Sequence, residues 1–236
     1  MNKERVFDIY NKNYYNENQN LYKSNKLVLQ ANNVYCLVGC NGLGKSTILH
    51  QMIYDHDNSL DNTAFDIDSI INPFSFMRDV EKDKEKYNEF YILLNSKTKP
   101  TINNVEDTSL YNILSNFIST GENTIHNLSP ILKSIFNVVK TLKDKEVYIL
   151  LDDLDVGVSI DVLMELSQVI NRLELLLKDL NINYYIVITA NSYELAKRFK
   201  CIDTITMEEV SFKDYGDYLK YVCDTRKYKD TRDKEK

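Results

Sequence analysis

The chain has 236 residues, of which 43% are hydrophobic and 27% charged, a balance typical of a globular protein with one large domain or two small ones. Its formal net charge of −6 argues against a strongly basic surface for nucleic acid. No apolar stretch approaches the roughly 20 residues that cross a bilayer, and no secretory signal opens the chain, so we expect a cytoplasmic protein without membrane insertion.

The beginning of the chain is predicted to form strands and one helix. Residues 4–10 and 26–38 have the apolar patterns of strands, and the segment Ala-Asn-Asn at 31–33 predicts a strand, a turn and a second strand within 26–38. This predicted hairpin suggests an N-terminal antiparallel β subdomain. A helix is expected at 47–54 and a short strand at 63–71.

The middle of the chain is predicted to be helical. Charged residues with Phe, Met, Tyr and Leu at helical spacing predict an exposed helix at 75–95, within a helical arm that spans about 75–128. Further helices are expected at 107–118 and 130–143, and Pro130 suits the first turn of the latter.

The last part of the chain alternates apolar strands with amphipathic helices. The predicted strands and helices are at 146–151, 159–180, 184–189 and 193–199. This alternation predicts an α/β fold with a mostly parallel sheet flanked by helices. We expect a single domain over 1–223 and a charged tail at 224–236 that frays.

A phosphate-binding loop is the strongest motif. Residues 39–47 read GCNGLGKST and match the pattern G-x-x-x-x-G-K-[ST], with an apolar strand before it and a helix after it. Glycines let backbone N–H groups surround an anion, and the helix adds its positive N-terminal dipole. Lys45 should reach the β- and γ-phosphates, and Ser46 should bind Mg²⁺. The predicted nucleotide-binding residues here are Asn41, Gly42, Leu43, Gly44, Lys45, Ser46 and Thr47.

An acidic pair follows the apolar strand at 146–151. Asp152 ends this strand, where a carboxylate can hold Mg²⁺ directly or through water. Asp153 follows at the position of a general base that orients the attacking water. A solvated acidic turn is the alternative interpretation, and the phosphate-binding loop upstream favours the metal site.

A zinc site is a weaker interpretation of the cysteines and histidines. Cys36, Cys40, His50 and His56 have a spacing that superficially resembles a zinc finger. Cys36 lies in a predicted buried strand and Cys40 in the phosphate-binding loop, so the closed tetrahedral geometry of a zinc site is not expected. The four cysteines form no C-x-x-C pair, so we expect them to be reduced.

These motifs resemble those of the ATP-binding-cassette superfamily, in particular the ATPase heads of the SMC and RecF-like branch. The loop GCNGLGKST is similar to that superfamily's G-x-N-G-x-G-K-S-T, and the STGE at 119–122 resembles the S-x-G-E signature. Residues 152–157 resemble the extended Walker B motif. The resemblance covers about residues 4–210 and implies a P-loop fold that binds ATP and Mg²⁺.

The resemblance also implies a homodimer that forms around ATP. In this family two heads sandwich two ATP molecules, and the signature of one head caps the γ-phosphate bound by the other. Ser119, Gly121 and Glu122 would form that cap here. The alternative is that Gly121 only ends a helix, which is a common use of glycine.

Several positions depart from the family pattern. Asp153 replaces the usual glutamate and is one methylene shorter, and Asn191 stands at the place of the switch histidine and cannot carry a proton. Asn72 is a weak substitute for the usual glutamine, and Tyr22 is the preferred adenine contact among three upstream tyrosines. Because a misplaced water slows the reaction, slow hydrolysis is expected, with Asp153, Lys45 and Asn191 as catalytic residues.

The combined interpretation is a slow ATPase that controls a separate effector protein, in DNA maintenance or anti-phage defence. An ATPase subunit of a membrane transporter and an interaction module that binds ATP without hydrolysing it are the alternatives. Nucleic-acid binding stays open, because Lys82, Lys84 and Lys86 could line a groove, although alternating charges favour a solvated helix there.

Overall fold

The computed structural model describes residues 3–9, 21–57, 89–95, 139–140, 142–155 and 158–234. The strands are β1 (Glu4–Asp8), β2 (Lys26–Gln30), β3 (Asn33–Val38), β4 (Glu89–Asn95), β5 (Glu146–Asp152), β6 (Asn183–Thr189), β7 (Lys200–Asp203) and β8 (Glu209–Val210). The helices are α1 (Lys45–Asp57), α2 (Ile160–Asp179), α3 (Tyr193–Ala196) and α4 (Tyr215–Lys234). None of the described helices has the length and apolar character needed to cross a membrane.

A six-stranded sheet forms the centre of the molecule, in the order β4-β5-β6-β3-β7-β8. Neighbouring strands from β4 to β7 are parallel, and only β8 runs antiparallel to its neighbour. The central strands β3, β5 and β6 are buried along almost their whole length, as expected for a parallel sheet covered on both faces. The predicted α/β class with a mostly parallel sheet flanked by helices is confirmed.

Two hydrophobic cores cover the two faces of this sheet. Alternate residues of each strand belong to different cores, because side chains in a strand point to opposite faces. One core contains Val147 and Ile149 together with apolar residues of α2 and α3. The other contains Tyr148 and Leu150 together with α1 and the inward residues of β1 and β2.

A separate antiparallel sheet joins β1 and β2, from the pair Glu4 and Gln30 to the pair Asp8 and Lys26. The predicted N-terminal antiparallel sheet is thus confirmed, but the hairpin expected within 26–38 is wrong. β3 leaves β2 and pairs with β6 and β7 instead. The turn uses Asn32 at a φ of 64°, and the Asn32 N–H donates to Tyr184 O at 2.7 Å, which ties the turn to the main sheet.

Residues 89–95 form the buried edge strand β4, which corrects the helix predicted over 75–95 and so part of the arm at 75–128. β4 pairs with β5 at seven positions, from Glu89 and Glu146 to Asn95 and Asp152. A short continuous apolar run such as FYILL fits a buried strand as well as a helix, so its period could not decide between them.

Other predictions in the middle of the chain lie largely outside the described residues. These are the strand at 63–71, the helix at 107–118 and the rest of the arm. Of the helix predicted at 130–143, the structure describes helix at 139–140 and a turn at 143–144. Those predictions therefore stay predictions.

The prediction that the C-terminal segment 224–236 frays is wrong, because α4 continues through Lys234. Its composition is polar enough to resemble a free tail, yet one face packs on the domain. Tyr218 and Thr225 are buried, and Tyr221 and Val222 pack against the core. A narrow contact face thus holds a helix whose other faces are charged.

Candidate functional site

The phosphate-binding loop lies where β3 ends and α1 begins. β3 has β6 on one side and β7 on the other, and open α/β sheets bind ligands outside the carboxyl ends of strands where the strand order reverses. Gly42 and Gly44 have φ angles of 79° and 81°, which favour glycine. A Cβ at Gly42 would collide with Lys229 Nζ, and one at Gly44 would collide with the Tyr22 hydroxyl. The loop thus needs glycine for conformation at both positions and for space at Gly44, because the flexible Lys229 side chain can move away from a Cβ at Gly42.

Lys45 is folded into this loop and is only 6% exposed. Its Nζ donates hydrogen bonds to Gly39 O at 2.9 Å and Cys40 O at 3.3 Å. Burial lowers the pKa of Lys45, while the carboxylates of Asp155 and Asp153 oppose that shift. The loop therefore holds a desolvated cation beside its own backbone, which suits the binding of an anion.

The predicted metal ligands meet although they are 106 residues apart in the sequence. Ser46 Oγ donates to Asp152 Oδ1 at 2.8 Å, and Asp152 is 1% exposed. Thr189 Oγ1 donates to the same oxygen at 2.9 Å. A hydroxyl and a carboxylate are oxygen ligands of the kind that Mg²⁺ binds, usually together with waters and phosphate oxygens. Ser46 and Asp152 therefore have the oxygen atoms that a Mg²⁺ ion at this site would need.

Asp153 follows in a strained backbone conformation. Its φ of 53° lies in the left-handed region, which is uncommon for residues other than glycine and is often found at functional sites. The Asp153 N–H donates to Thr189 Oγ1 at 2.8 Å, so one threonine hydroxyl links both aspartates. Sequence reasoning missed Thr189. Its place at the end of β6, the strand beside β5, was the available signal.

Asn191 lies at the carboxyl end of β6 and is held by Asp155. The Asp155 carboxylate accepts from Asn191 N at 2.5 Å, from Asn191 Nδ2 at 3.2 Å and from Ser192 N at 2.7 Å. Burial raises the pKa of Asp155, and these hydrogen bonds counter that rise. Asn191 Oδ1 is buried and has no hydrogen-bond partner among the described residues, so it can accept one more hydrogen bond.

The helix α4 crosses the phosphate-binding loop, which the sequence did not indicate. Thr225 Oγ1 accepts from Cys40 N at 3.1 Å, and Lys229 Nζ donates to Asn41 O at 3.4 Å. The Tyr221 hydroxyl lies 3.1 Å from Val38 O, at the end of β3. These three contacts come from positions 221, 225 and 229, which share one helix face because they are four residues apart.

Tyr22 packs against the loop as a buried residue. Its hydroxyl donates to Gly44 O at 3.3 Å, and burial raises the pKa of Tyr22 to about 12. The adenine contact predicted for it stays a prediction. Leu43 is buried, where it packs with Cys40 and Ile205. The remaining predicted site residues lie outside the described residues: Asn72, Ser119, Gly121 and Glu122.

No protein-family model and no curated protein matches the chain.

Proposed function

We propose that the chain binds ATP with Mg²⁺ in the loop between β3 and α1 and hydrolyses it slowly, as an ATPase similar to the SMC and RecF-like branch. The observation that carries this proposal is the 2.8 Å hydrogen bond between Ser46 and the buried Asp152, beside the buried Lys45. A hydroxyl, a carboxylate and an ammonium at the end of a glycine-rich loop are the groups that a metal–polyphosphate complex requires.

Each residue has a defined role in this proposal. Lys45 exchanges its two backbone contacts for phosphate oxygens, and Ser46 and Asp152 hold Mg²⁺. Thr189 fixes the orientation of Asp152, while Asp153 orients the attacking water. Asn191, held by Asp155, can accept a hydrogen bond from that water through its Oδ1. Because phosphoryl transfer depends mainly on positioning and electrostatics, no covalent step on the protein is needed.

Binding without hydrolysis is the second candidate. The observation that favours it is the left-handed backbone of Asp153 combined with its short side chain. A carboxylate that misses the water by about 1 Å can cost about a hundredfold in rate. In either case the bound nucleotide would act as a switch for a separate effector protein, which is a proposal by analogy with the resembled family.

The first test compares the wild type with Lys45→Met, in which an uncharged side chain of similar length replaces the lysine. We expect wild type to bind Mg-ATP in calorimetry and Lys45→Met to lose most of that affinity, because the phosphates lose their buried cation. Lys197→Met is the control, since Lys197 is half-exposed and pairs with Glu194 on α3. Equal affinity of wild type and Lys45→Met would contradict the proposal.

Phosphate release measured on the same proteins separates the two candidates. Slow release by wild type that Asp153→Asn abolishes would identify an ATPase. Binding without any release, at concentrations that saturate the protein, would identify a module that holds ATP without hydrolysing it.

A further inference from the structure

An open cleft of about 400 Å³ lies between α4 and the β7–β8 hairpin. This volume falls within the range of about 300–1,000 Å³ that is common for small-molecule sites. Its lining comes from three parts of the chain, namely the segment before β2, the hairpin and α4. The segment before β2 contributes Lys23, the hairpin contributes Ile205 and Thr206, and α4 contributes Tyr221, Thr225 and Tyr228.

Two side chains that line the cleft also contact the phosphate-binding loop or the strand before it. Thr225 lines the cleft and accepts a hydrogen bond from the loop's Cys40 N–H at 3.1 Å. Tyr221 also lines the cleft, and its hydroxyl is 3.1 Å from Val38 O, where β3 runs into the loop. Tyr228 packs against the cluster that contains Cys40 and Leu43. The side chains of Tyr221 and Thr225 are therefore shared between the cleft and the loop.

The walls of the cleft combine apolar surface with hydroxyl, ammonium and carboxylate groups, the last from Asp203, Asp217 and Asp224. Ile205 and Tyr228 supply the apolar surface nearest the loop. Thr206 adds a hydroxyl, and Lys23 Nζ and Arg232 Cζ lie 5.2 Å and 5.4 Å from the centre of the Tyr228 ring. Such surroundings fit an aromatic base with polar edges, since bases stack on aromatic rings and bond through their edges.

The Tyr228 hydroxyl is a second observation that points to a ligand. This oxygen is buried and has no hydrogen-bond partner among the described residues. A buried hydroxyl without a partner is costly, so native proteins rarely leave one unless another group completes it. A nucleoside in the cleft can supply that partner through a ring nitrogen or a sugar hydroxyl.

We propose that this cleft binds the base and sugar of the nucleotide whose phosphates occupy the loop, with the base against Tyr228 and Ile205. The inference rests on the proposed nucleotide binding and goes beyond it, because it places the base on the α4 side of the loop. Tyr22, the adenine contact predicted from the sequence, is buried and its hydroxyl donates to Gly44 O. In this proposal Tyr22 therefore supports the loop and does not contact the base.

The test separates the nucleoside from the phosphates by comparing Mg-ATP with Mg-tripolyphosphate, which has no base or sugar. Tyr228→Ala should weaken Mg-ATP binding at least about fivefold, the lower end of the usual loss when a stacking aromatic is removed. Its affinity for tripolyphosphate should stay as in wild type. Tyr228→Phe keeps the ring but removes the hydroxyl and its hydrogen bond, so it should lose less ATP affinity than Tyr228→Ala. Tyr215→Ala is the control, because Tyr215 lies on the same helix, is exposed and does not line the cleft.

The outcomes are distinguishable in calorimetry on proteins whose folding is checked by circular dichroism. Unchanged ATP affinity in Tyr228→Ala overturns the base site and leaves the ATPase proposal intact. An equal loss of ATP and tripolyphosphate also overturns it, since the tyrosine then only supports the loop. Wild type that binds tripolyphosphate as tightly as ATP overturns it too. Wild type that binds neither ligand refutes the nucleotide proposal itself.

Discussion

Single hydroxyl groups connect the charged residues of the site. Ser46 and Thr189 both donate to Asp152, and Thr189 also accepts from the Asp153 N–H. On the other side of the loop, Thr225 accepts from the Cys40 N–H. Hydrogen bonds to an ionised group are about twice as strong as those between neutral groups. The carboxylate of Asp152 is therefore held in one orientation, which would lower the cost of binding the proposed Mg²⁺ ion.

Lys229 is expected to contribute to phosphate binding, although it lies far from the loop in the sequence. Its Nζ is 3.4 Å from Asn41 O, next to the space that a side chain at Gly42 would fill. Lys229→Ala should therefore weaken Mg-ATP binding by about two- to fivefold, an effect of about 0.5–1 kcal/mol that added salt reduces. Calorimetry at two salt concentrations checks this.

A matched control is available two residues away on the same helix. Lys227 is exposed and pairs with Asp224 at 3.1 Å. Lys227→Ala removes the same charge without touching the loop, so it should leave ATP affinity nearly unchanged. Equal losses in the two variants would mean that only the general field of the helix matters, which would contradict a contact by Lys229.

Among individual residues, the sequence predicted those of the motifs but not the residues that contact them from distant parts of the chain. The G-x-x-x-x-G-K-[ST] pattern and the aspartates after an apolar strand are local, so Lys45, Ser46 and Asp152 could be found from spacing alone. Thr189 contacts Asp152 from another strand, and Lys229 reaches the loop from the last helix. Such contacts depend on strand order, which no local pattern contains.

Individual elements show how tertiary contacts decide between similar patterns. β4 reads as a helix in isolation, yet it pairs with β5 over its full length and becomes a strand. Residues 224–236 read as a free tail, yet α4 continues through Lys234, and positions four residues apart on it place Tyr221, Thr225 and Lys229 on the loop. Propensity is a weak prior that packing overrides. The long amphipathic helix at 160–179 was predicted well because its apolar face repeats over five turns.

A stack of tyrosines attaches the β1–β2 sheet to the main sheet. The Tyr148 ring lies between those of Tyr91 and Tyr185, with centroid distances of 4.4 and 4.7 Å. Phe7 from β1 meets Tyr148 edge-on at 5.8 Å. Burial raises the pKa of Tyr148 and raises that of Tyr185 to about 12, so the hydroxyl groups of both tyrosines are neutral at physiological pH. The stack therefore acts as apolar packing.

Replacing Tyr148 should reduce stability strongly. It is fully buried, so Tyr148→Ala is expected to lower the free energy of unfolding by about 3–5 kcal/mol, the usual cost of removing a large buried ring. Tyr148→Phe removes only the hydroxyl, which donates to Glu146 Oε2 at 3.2 Å, and should cost about 1 kcal/mol. Denaturant unfolding measures both values, and similar losses in the two variants would show that the hydroxyl dominates instead of the ring.

Across the whole molecule, distant parts of the chain converge on one edge of the sheet. The ends of β3, β5, β6 and β7 all contribute, and α4 closes the group from the C-terminal side. The first motif and the last helix are thus in direct contact, since Cys40 N bonds to Thr225 across 185 positions. A nucleotide at this edge would touch both, so its binding would stabilise the fold as well as occupy the site.

ATP is expected to control the association of two copies. The chain carries a net charge of −6, so two copies repel each other and should stay monomeric without a ligand that bridges them. In the proposed sandwich, Ser119 and Gly121 of one copy would contact the γ-phosphate held near Lys45 of the other copy. These contacts would be charge-assisted hydrogen bonds across the interface. Asp153→Asn should slow hydrolysis and accumulate this state.

Light scattering with and without Mg-ATP tests this association. Asp153→Asn should have the mass of a monomer alone and of a dimer with Mg-ATP. Adding Ser119→Arg should abolish the dimer but leave ATP binding intact, because the arginine blocks the contact between copies and not the loop. Lys45→Met is the matched control that should stay monomeric for lack of bound ATP. A mass that does not change while calorimetry shows ATP bound would refute the sandwich and leave the loop as the site of a monomeric switch.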